Sequence, residues 1–500
     1  MSETKEYKNI FKATSLFGGV QVLQVLLNLV RGKIIAVLLG ATGMGVNSLF
    51  FSTANMVNNF TGMGLNFSAV REIAEAKQSE DKLSRVVKIF RRWLLVTASL
   101  GLVIMVVFSP LLSAYTFKEK VEGITNDSYF IIAFALLGFM VFFNTLSTGN
   151  AAILQGARKL KKFALYSLTG TLSALVISIP LYYLFGIKGI LPALILSTFV
   201  TYVFSVYYTK EIKSSKVKFS PREIYSGGIG MLKLGVTMMV STALASVAHY
   251  MLNTFISSYG SLSDLGLYQA GMSITSQSIG LVFTAMAVDY YPRLSAVCSN
   301  NDKVRETANQ QGVITMLVAT PVLLLLSLLL PFVIKILLSQ EFLPIINFVR
   351  LLAFGMLFKA ASYSIGTISF AKGDKKVFFL LEGIYVNVSI FVFSAVGYTL
   401  GGLEGLALFF LLMHLVYFIL VLVVNYKLYS FYLESYLIKI IAISILFTGS
   451  NYLVLKFLGG TYAYVIASGV VIASLIYSVL KLNKLIGIKE MLSKVLKKDK

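Results

Sequence analysis

Residues 13–39 read ATSLFGGVQVLQVLLNLVRGKIIAVLL. The stretch exceeds the roughly 20 apolar residues that carry a helix across a bilayer. Yet it contains Gln21, Gln24, Asn28 and Arg31. At ~100° per residue these four fall within about 80° of one another, a polar stripe on an otherwise oily helix. An arginine at bilayer depth costs at least ~2.5–3.5 kcal/mol on insertion scales. The stripe must therefore turn from lipid toward protein or a water-filled cavity, and we expect the molecule to be built around that cavity.

The rest of the chain repeats this texture. Of its 500 residues, 57% are hydrophobic and 13% charged, whereas soluble domains carry roughly a quarter charged. The apolar blocks run longer than those of alternating barrel strands, so the expected class is an all-α polytopic membrane protein. Fourteen spans can be placed, from 13–39 and 44–70 through 225–258, 265–291 and 345–371 to 434–457 and 461–480. The basic N-terminus precedes an apolar run too long for a cleavable signal, so the first helix is expected to stay as an anchor. Cys298 is the sole cysteine, which excludes an intrachain disulfide.

A net charge of +22 would suggest nucleic acid in a soluble protein. Here its placement argues otherwise. Of 44 Lys and Arg, 33 follow an even number of spans, among them Arg71 to Arg92, Arg158 to Lys162, Lys372 to Lys376 and the tail. Only Lys118, Lys120, Lys188, Lys335 and Lys456 fall on the other side. By the positive-inside rule both termini are cytoplasmic, and no nucleic-acid partner is expected.

The chain also repeats itself. Gly45 and Gly266, Arg71 and Arg293, Gly156 and Gly373, and Gly186 and Gly402 are separated by 216 to 222 positions, each in matching turn or helix-end contexts. This predicts two six-helix repeats of one orientation, 1–222 and 223–430, followed by a helix pair and basic tail over 431–500. Repeat-built transporters bind substrate where the repeats meet.

No metal cluster, nucleotide loop or catalytic triad motif occurs at usable spacing, and no cofactor, metal or catalytic residue is expected. His249 and His414 lie in separate spans and read as hydrogen-bonded interior histidines or, alternatively, a proton relay. Six basic residues lie inside spans: Arg31, Lys33, Lys233, Arg350, Lys359 and Lys439. Lys439 is near enough to a helix end to snorkel; Lys233 reads equally as snorkelling or lining. Lys33 points about 120° from the Gln21 face. Arg350 and Lys359 are about 180° apart on one helix, so one of them is expected to face the cavity directly. Asn55, Asn58, Asn59 and Asn66 on the second span, and Gln269, Ser273 and Gln277 on the eighth, either face sugar hydroxyls or bond between helices. No carboxylate occupies the middle of the first or seventh span, so the interior is net positive and calls for an anionic guest.

The first helix with its Arg31/Lys33 pair, the turn Leu39-Gly40-Ala41-Thr42-Gly43-Met44-Gly45, and the segment Gly62-Met63-Gly64 to Ser68-Ala69-Val70-Arg71 resemble the O-antigen translocases. These are polysaccharide flippases of the multidrug/oligosaccharidyl-lipid/polysaccharide (MOP) exporter superfamily. The resemblance implies a MATE-like pair of six-helix bundles around a cationic cavity. It implies transfer of an undecaprenyl-pyrophosphate-linked oligosaccharide to the outer leaflet of the inner membrane, with membrane lipids and polysaccharide polymerase machinery as further partners. Helices 434–480 depart from the twelve-helix members and look like those of lipid II flippases, where an added pair is linked to a lipid-tail groove. On this reading Arg31, Lys33, Lys233, Arg350 and Lys359 meet the pyrophosphate, and Gln24, Asn28, Asn55 and Asn59 meet the sugars. Two alternatives stay open: a lipid II-type or multidrug exporter of the same superfamily, or a membrane glycan polymerase. The polymerase would need a larger outer segment than the dozen residues near 116–126.

Overall fold

The computed structural model describes residues 2–77, 79–117, 128–212 and 220–486. The outer loop expected at 116–126 lies outside them beyond Phe117. So do Lys118, Lys120, Lys213, Lys216, Lys218 and the tail lysines from Lys489 onward, and likewise the side chains of Lys5, Lys8, Lys12 and Gln21. All the regular structure among the described residues is helical. The principal helices are α1 (Ser2–Thr61), α2 (Leu65–Ala76), α3 (Glu80–Val107), α4 (Ser109–Thr116), α5 (Ser128–Gly156), α6 (Leu160–Phe185), α7 (Ile190–Thr209) and α8 (Pro221–Tyr259). They continue with α9 (Leu262–Ala296), α10 (Asn301–Leu337), α11 (Ile346–Ala371), α12 (Lys375–Phe378), α13 (Val386–Tyr429), α14 (Ser435–Phe457) and α15 (Gly460–Ile486). Among the described residues nine stretches are long and apolar enough to cross a membrane, or eleven when the bent helices α8 and α9 are included. The protein is a multi-pass membrane protein.

Two compact units result, one of residues 1–267 with 337–339 and one of 268–336 with 340–500. In the first, α2, α3 and α5 meet in a core that contains Leu65, Ile73, Phe90, Leu94 and Ile153. Helix α8 packs with this unit: Trp93 Nε1 donates to the Ile224 carbonyl at 3.1 Å, and the hydroxyls of Thr116 and Tyr250 bond at 2.9 Å. By contacts, then, residues 223–267 lie with the first unit, whatever repeat they descend from.

Gly40 interrupts α1 with φ 66° and ψ −167°, a backbone region that essentially only glycine enters. Just beyond it Gly45, with Gly266 of α9, lets two backbones touch. A Cβ on Gly45 would sit 2.0 Å from the Leu262 carbonyl oxygen, and one on Gly266 only 1.9 Å from that of Ala41. The turn matched in the sequence repeat is thus the place where α1 and the start of α9 meet within the first unit.

In the second unit polar side chains fasten α10 to α14. Thr320 and Ser444 share a hydrogen bond of 2.9 Å, and Asn451 Nδ2 donates to Ser327 Oγ at 3.2 Å. Such pairs satisfy hydroxyls and amides that water does not reach. Helix α13 is broken at Gly401 and Gly402, the latter with φ 56°. Between α12 and α13 the residues Phe379–Tyr385 form a π-helical turn.

Candidate functional site

The polar stripe of α1 opens onto a cavity of about 250 Å³ inside the first unit, far more than the ~10–15 Å³ one water needs. Asn28 and Arg31 come from α1, Asn144 and Ser147 from α5, Tyr166, Ser167 and Thr171 from α6, and Ser197, Thr198 and Thr201 from α7. Gln24 joins this wall by donating from Nε2 to Ser167 Oγ. Several hydroxyls spend their protons on their own helices: Thr171 on the Ser167 carbonyl at 3.0 Å, and Thr201 on that of Ser197 at 2.7 Å. Their oxygens therefore face the cavity as acceptors, suited to hydroxyl-rich ligands. No carboxylate lines the cavity among the described residues. Arg31 Nε is buried there without a hydrogen-bond partner, and Arg31 makes no ion pair among those residues. The cavity is thus cationic, with a guanidinium donor awaiting an acceptor.

The other expected site residues do not all converge on it. Lys33 is exposed and lines neither this cavity nor the one below. The same holds for Lys233 on α8, while Asn55 is half-buried and also outside both. Asn59 donates to Ser246 Oγ, Asn58 accepts from Thr145 Oγ1 at 2.7 Å, and Asn66 donates to Thr148 Oγ1 at 3.1 Å. Asn58, Asn59 and Asn66 of the second span thus bond to neighbouring helices and also line a small pocket. Arg350 lies elsewhere. It is 5% exposed, and its donors go to the carbonyls of Ser327 and Leu455, each at 3.3 Å, and toward the Tyr464 hydroxyl at 3.5 Å. It braces α10, α11, α14 and α15 and is absent from either cavity wall.

Lys359 instead lines a separate cavity of about 300 Å³ in the second unit, with Tyr363 and Thr367 of α11, Glu382 of the π turn, and His414 and Tyr417 of α13. Nearer the basic segments, Arg71, Glu72, Glu75, Lys82 and Arg85 edge a cleft of about 570 Å³. There Arg71 bonds Glu75 at 2.9 Å. Partial burial, and then the charge of Glu75, push the Glu72 carboxyl above its ordinary range.

Known proteins are similar to this chain in both helical arrangement and sequence. The polysaccharide biosynthesis protein family matches residues 34–347, more than half of the chain. The chain belongs to that family. A Shigella flexneri protein named as an O-antigen transporter is 22% identical over 350 residues, 69% of this chain and 80% of its own. The lipid III flippase of Escherichia coli K12 is 21% identical over 414 residues, 82% of this chain and 96% of its own. Among solved structures, the lipid II flippase MurJ in an inward closed conformation aligns with a TM-score of 0.72 at 13% identity, over 94% of this chain and 99% of that one. An inward-facing MATE family transporter of the MOP superfamily aligns with a TM-score of 0.68 at 19% identity, over 83% and 96%. The fold of this family member is therefore that of the MOP exporters.

Sequence reasoning reached Gln24, Asn28 and Arg31 but missed the facing wall on α5, α6 and α7. Its signal was available: Ser167 and Thr171, and Ser197 and Thr201, recur at the four-residue spacing that keeps side chains on one helix face. Glu382 and Tyr417 gave no comparable signal, because they meet across 35 residues and only where a π turn alters the helical register.

Proposed function

We propose that the protein is a flippase that carries an anionic undecaprenyl-pyrophosphate-linked oligosaccharide, an O-antigen or related surface-polysaccharide unit, from the cytoplasmic to the outer leaflet of the inner membrane by alternating access. The observation that carries this reading is Arg31: a partly buried guanidinium with an unpartnered Nε, in a cavity that no carboxylate lines among the described residues and that is walled by hydroxyls and amides. A guanidinium meets phosphate oxygens in a two-pronged fashion. Gln24 and Asn28, with the acceptor oxygens of α6 and α7, suit the sugar nearest the phosphate. The O-antigen and lipid III relatives support the substrate class. A drug exporter for cations would want an acid in place of Arg31.

The finer architecture belongs to the same reading. Leu23–Thr61, Leu160–Thr209 and Lys375–Tyr429 run 39, 50 and 55 residues. At 1.5 Å per residue they are roughly two to nearly three times a ~30 Å hydrocarbon core. Each is broken at a glycine with positive φ: Gly40, Gly186 and Gly402. Counted as two apiece, they raise eleven spans to fourteen, with six-helix repeats at 1–222 and 223–430, both termini cytoplasmic, and a final pair beyond. With the cell interior negative, outward movement of an anion gains about 2.3 kcal/mol per charge per 100 mV, which contributes drive without a nucleotide site.

The test is Arg31→Ala. Surface glycan export should stop while the amount of protein in the membrane stays at the wild-type level, and Arg31→Lys, which keeps the charge and loses the fork, should fall between. Export at the wild-type rate by Arg31→Ala would refute the proposal.

A further inference from the structure

The cavity of the second unit differs chemically from that of the first. Its polar groups include Lys359, Tyr363, Glu382, His414 and Tyr417 beside Ser362 and Thr367, set among Phe370, Ile390 and Met413. Glu382 is a built feature. It sits in the π turn Phe379–Tyr385, whose loosened carbonyls are capped by Asn387 Nδ2, 2.7 Å from the Gly383 oxygen and 3.3 Å from that of Glu382. Its carboxylate accepts from the Tyr417 hydroxyl, and the Tyr417 ring lies against that of Tyr385 at 6.1 Å. Gly366 leaves the room, since a Cβ there would come within 3.0 Å of Glu382 Oε1. His414 Nδ1 lies 2.9 Å from the Phe410 carbonyl, which fixes Nδ1 as the protonated nitrogen and Nε2 as an acceptor. Lys359 lines the same cavity with an exposed side chain. Among the described residues its ammonium makes no ion pair, and neither does Glu382.

We propose that this cavity is a primary-ammonium site served by the chain's own Lys359, a tethered cation within the same cavity that balances Glu382 without a fixed ion pair. A carboxylate that lines a largely apolar cavity and bonds there to the neutral Tyr417 hydroxyl gains from a positive counter-charge, and Lys359 is the one cationic side chain on the described wall. Its four-carbon stem lets the ammonium move between the Glu382–Tyr417 pair and the neutral acceptors nearby without leaving the cavity. Hydroxyl, carboxylate and imidazole acceptors suit a group with three N–H donors. The second cavity is thus electrically self-contained, and the anion site rests on the first unit alone.

The test uses the full chain purified in detergent and followed by thermal unfolding. Lys359→Ala should melt below wild type. Methylammonium chloride should restore it saturably, whereas choline chloride at equal ionic strength should not. Wild type and the double variant Lys359→Ala/Glu382→Gln should show no difference between the two salts. If Lys359→Ala melts identically in both, or if the double variant gains equally from methylammonium, the proposal fails. Should Lys359→Ala not fold, yield in the membrane decides. Lys359→Met alone should accumulate poorly, and Lys359→Met/Glu382→Gln should recover at least half of the wild-type level; no recovery overturns the assignment. No glycan enters either assay, so the outcome is separate from that of the flippase reading.

Discussion

Arg31 and Arg350 both lie within membrane-length helices, but Arg31 keeps an unpartnered Nε at a cavity wall whereas the Arg350 donors are bonded. Arg350 spends its donors on the carbonyls of residues 23 and 105 positions away. Arg350→Met would strand those acceptors at about 1–3 kcal/mol apiece. The variant should lower the melting temperature and the yield while each surviving molecule exports at the wild-type rate, the reverse of Arg31→Ala. Periodicity identified Arg31, because the stripe that marks it lies in one contiguous helix. It could not separate Arg350 from Lys359, because what distinguishes them is supplied by α10, α14 and α15. Glu72 offers a pH signature. Its carboxyl is raised by burial and then by Glu75, so the charged form is disfavoured in the fold. Stability is therefore full below the ordinary carboxylate value and declines as pH rises from there through the raised one. Glu72→Gln should melt higher than wild type at pH 7.5 and level with it at pH 4, as a pair of thermal scans would reveal.

At the scale of elements, breaks matter as much as helices. Gly40 holds φ 66° and ψ −167° in the middle of α1, so Gly40→Ala should cost roughly 1–3 kcal/mol. Gly32 lies in regular helix, and a Cβ added there would meet nothing within 4 Å. Gly32→Ala should be neutral or stabilising by up to ~1 kcal/mol. Chemical denaturation of the two variants side by side checks the contrast. The turn at 39–45 was legible because glycine recurs at matched spacing in both halves. The asparagines of the second span were only half legible. Amide side chains suit sugars and helix–helix bonds alike, and their partners Thr145, Thr148 and Ser246 come from helices that the local pattern does not identify.

For the whole molecule, hydropathy and charge gave the all-helical membrane class and predicted an orientation. That orientation is open to labelling, since Cys298 is the single cysteine. In a Cys298→Ala background, Lys188→Cys should react with an impermeant maleimide on intact cells, and Lys161→Cys only after lysis. Equal reaction at both positions would remove the fourteen-span topology. What the sequence left unread is three-dimensional: a cationic cavity in one unit, a charge-balanced one in the other, and helices α8 and the start of α9 packed with the first unit across the expected repeat boundary. Everything proposed for transport turns on Arg31 as the group that receives the anionic headgroup. Native mass spectrometry of the purified protein incubated with a prenyl-pyrophosphate-linked oligosaccharide tests this most directly. Wild type should retain the lipid, and Arg31→Ala should bind it roughly 10–100-fold more weakly, as befits the loss of charge-assisted hydrogen bonds worth ~1.5–3 kcal/mol. Equal retention by the two proteins would contradict that role for Arg31.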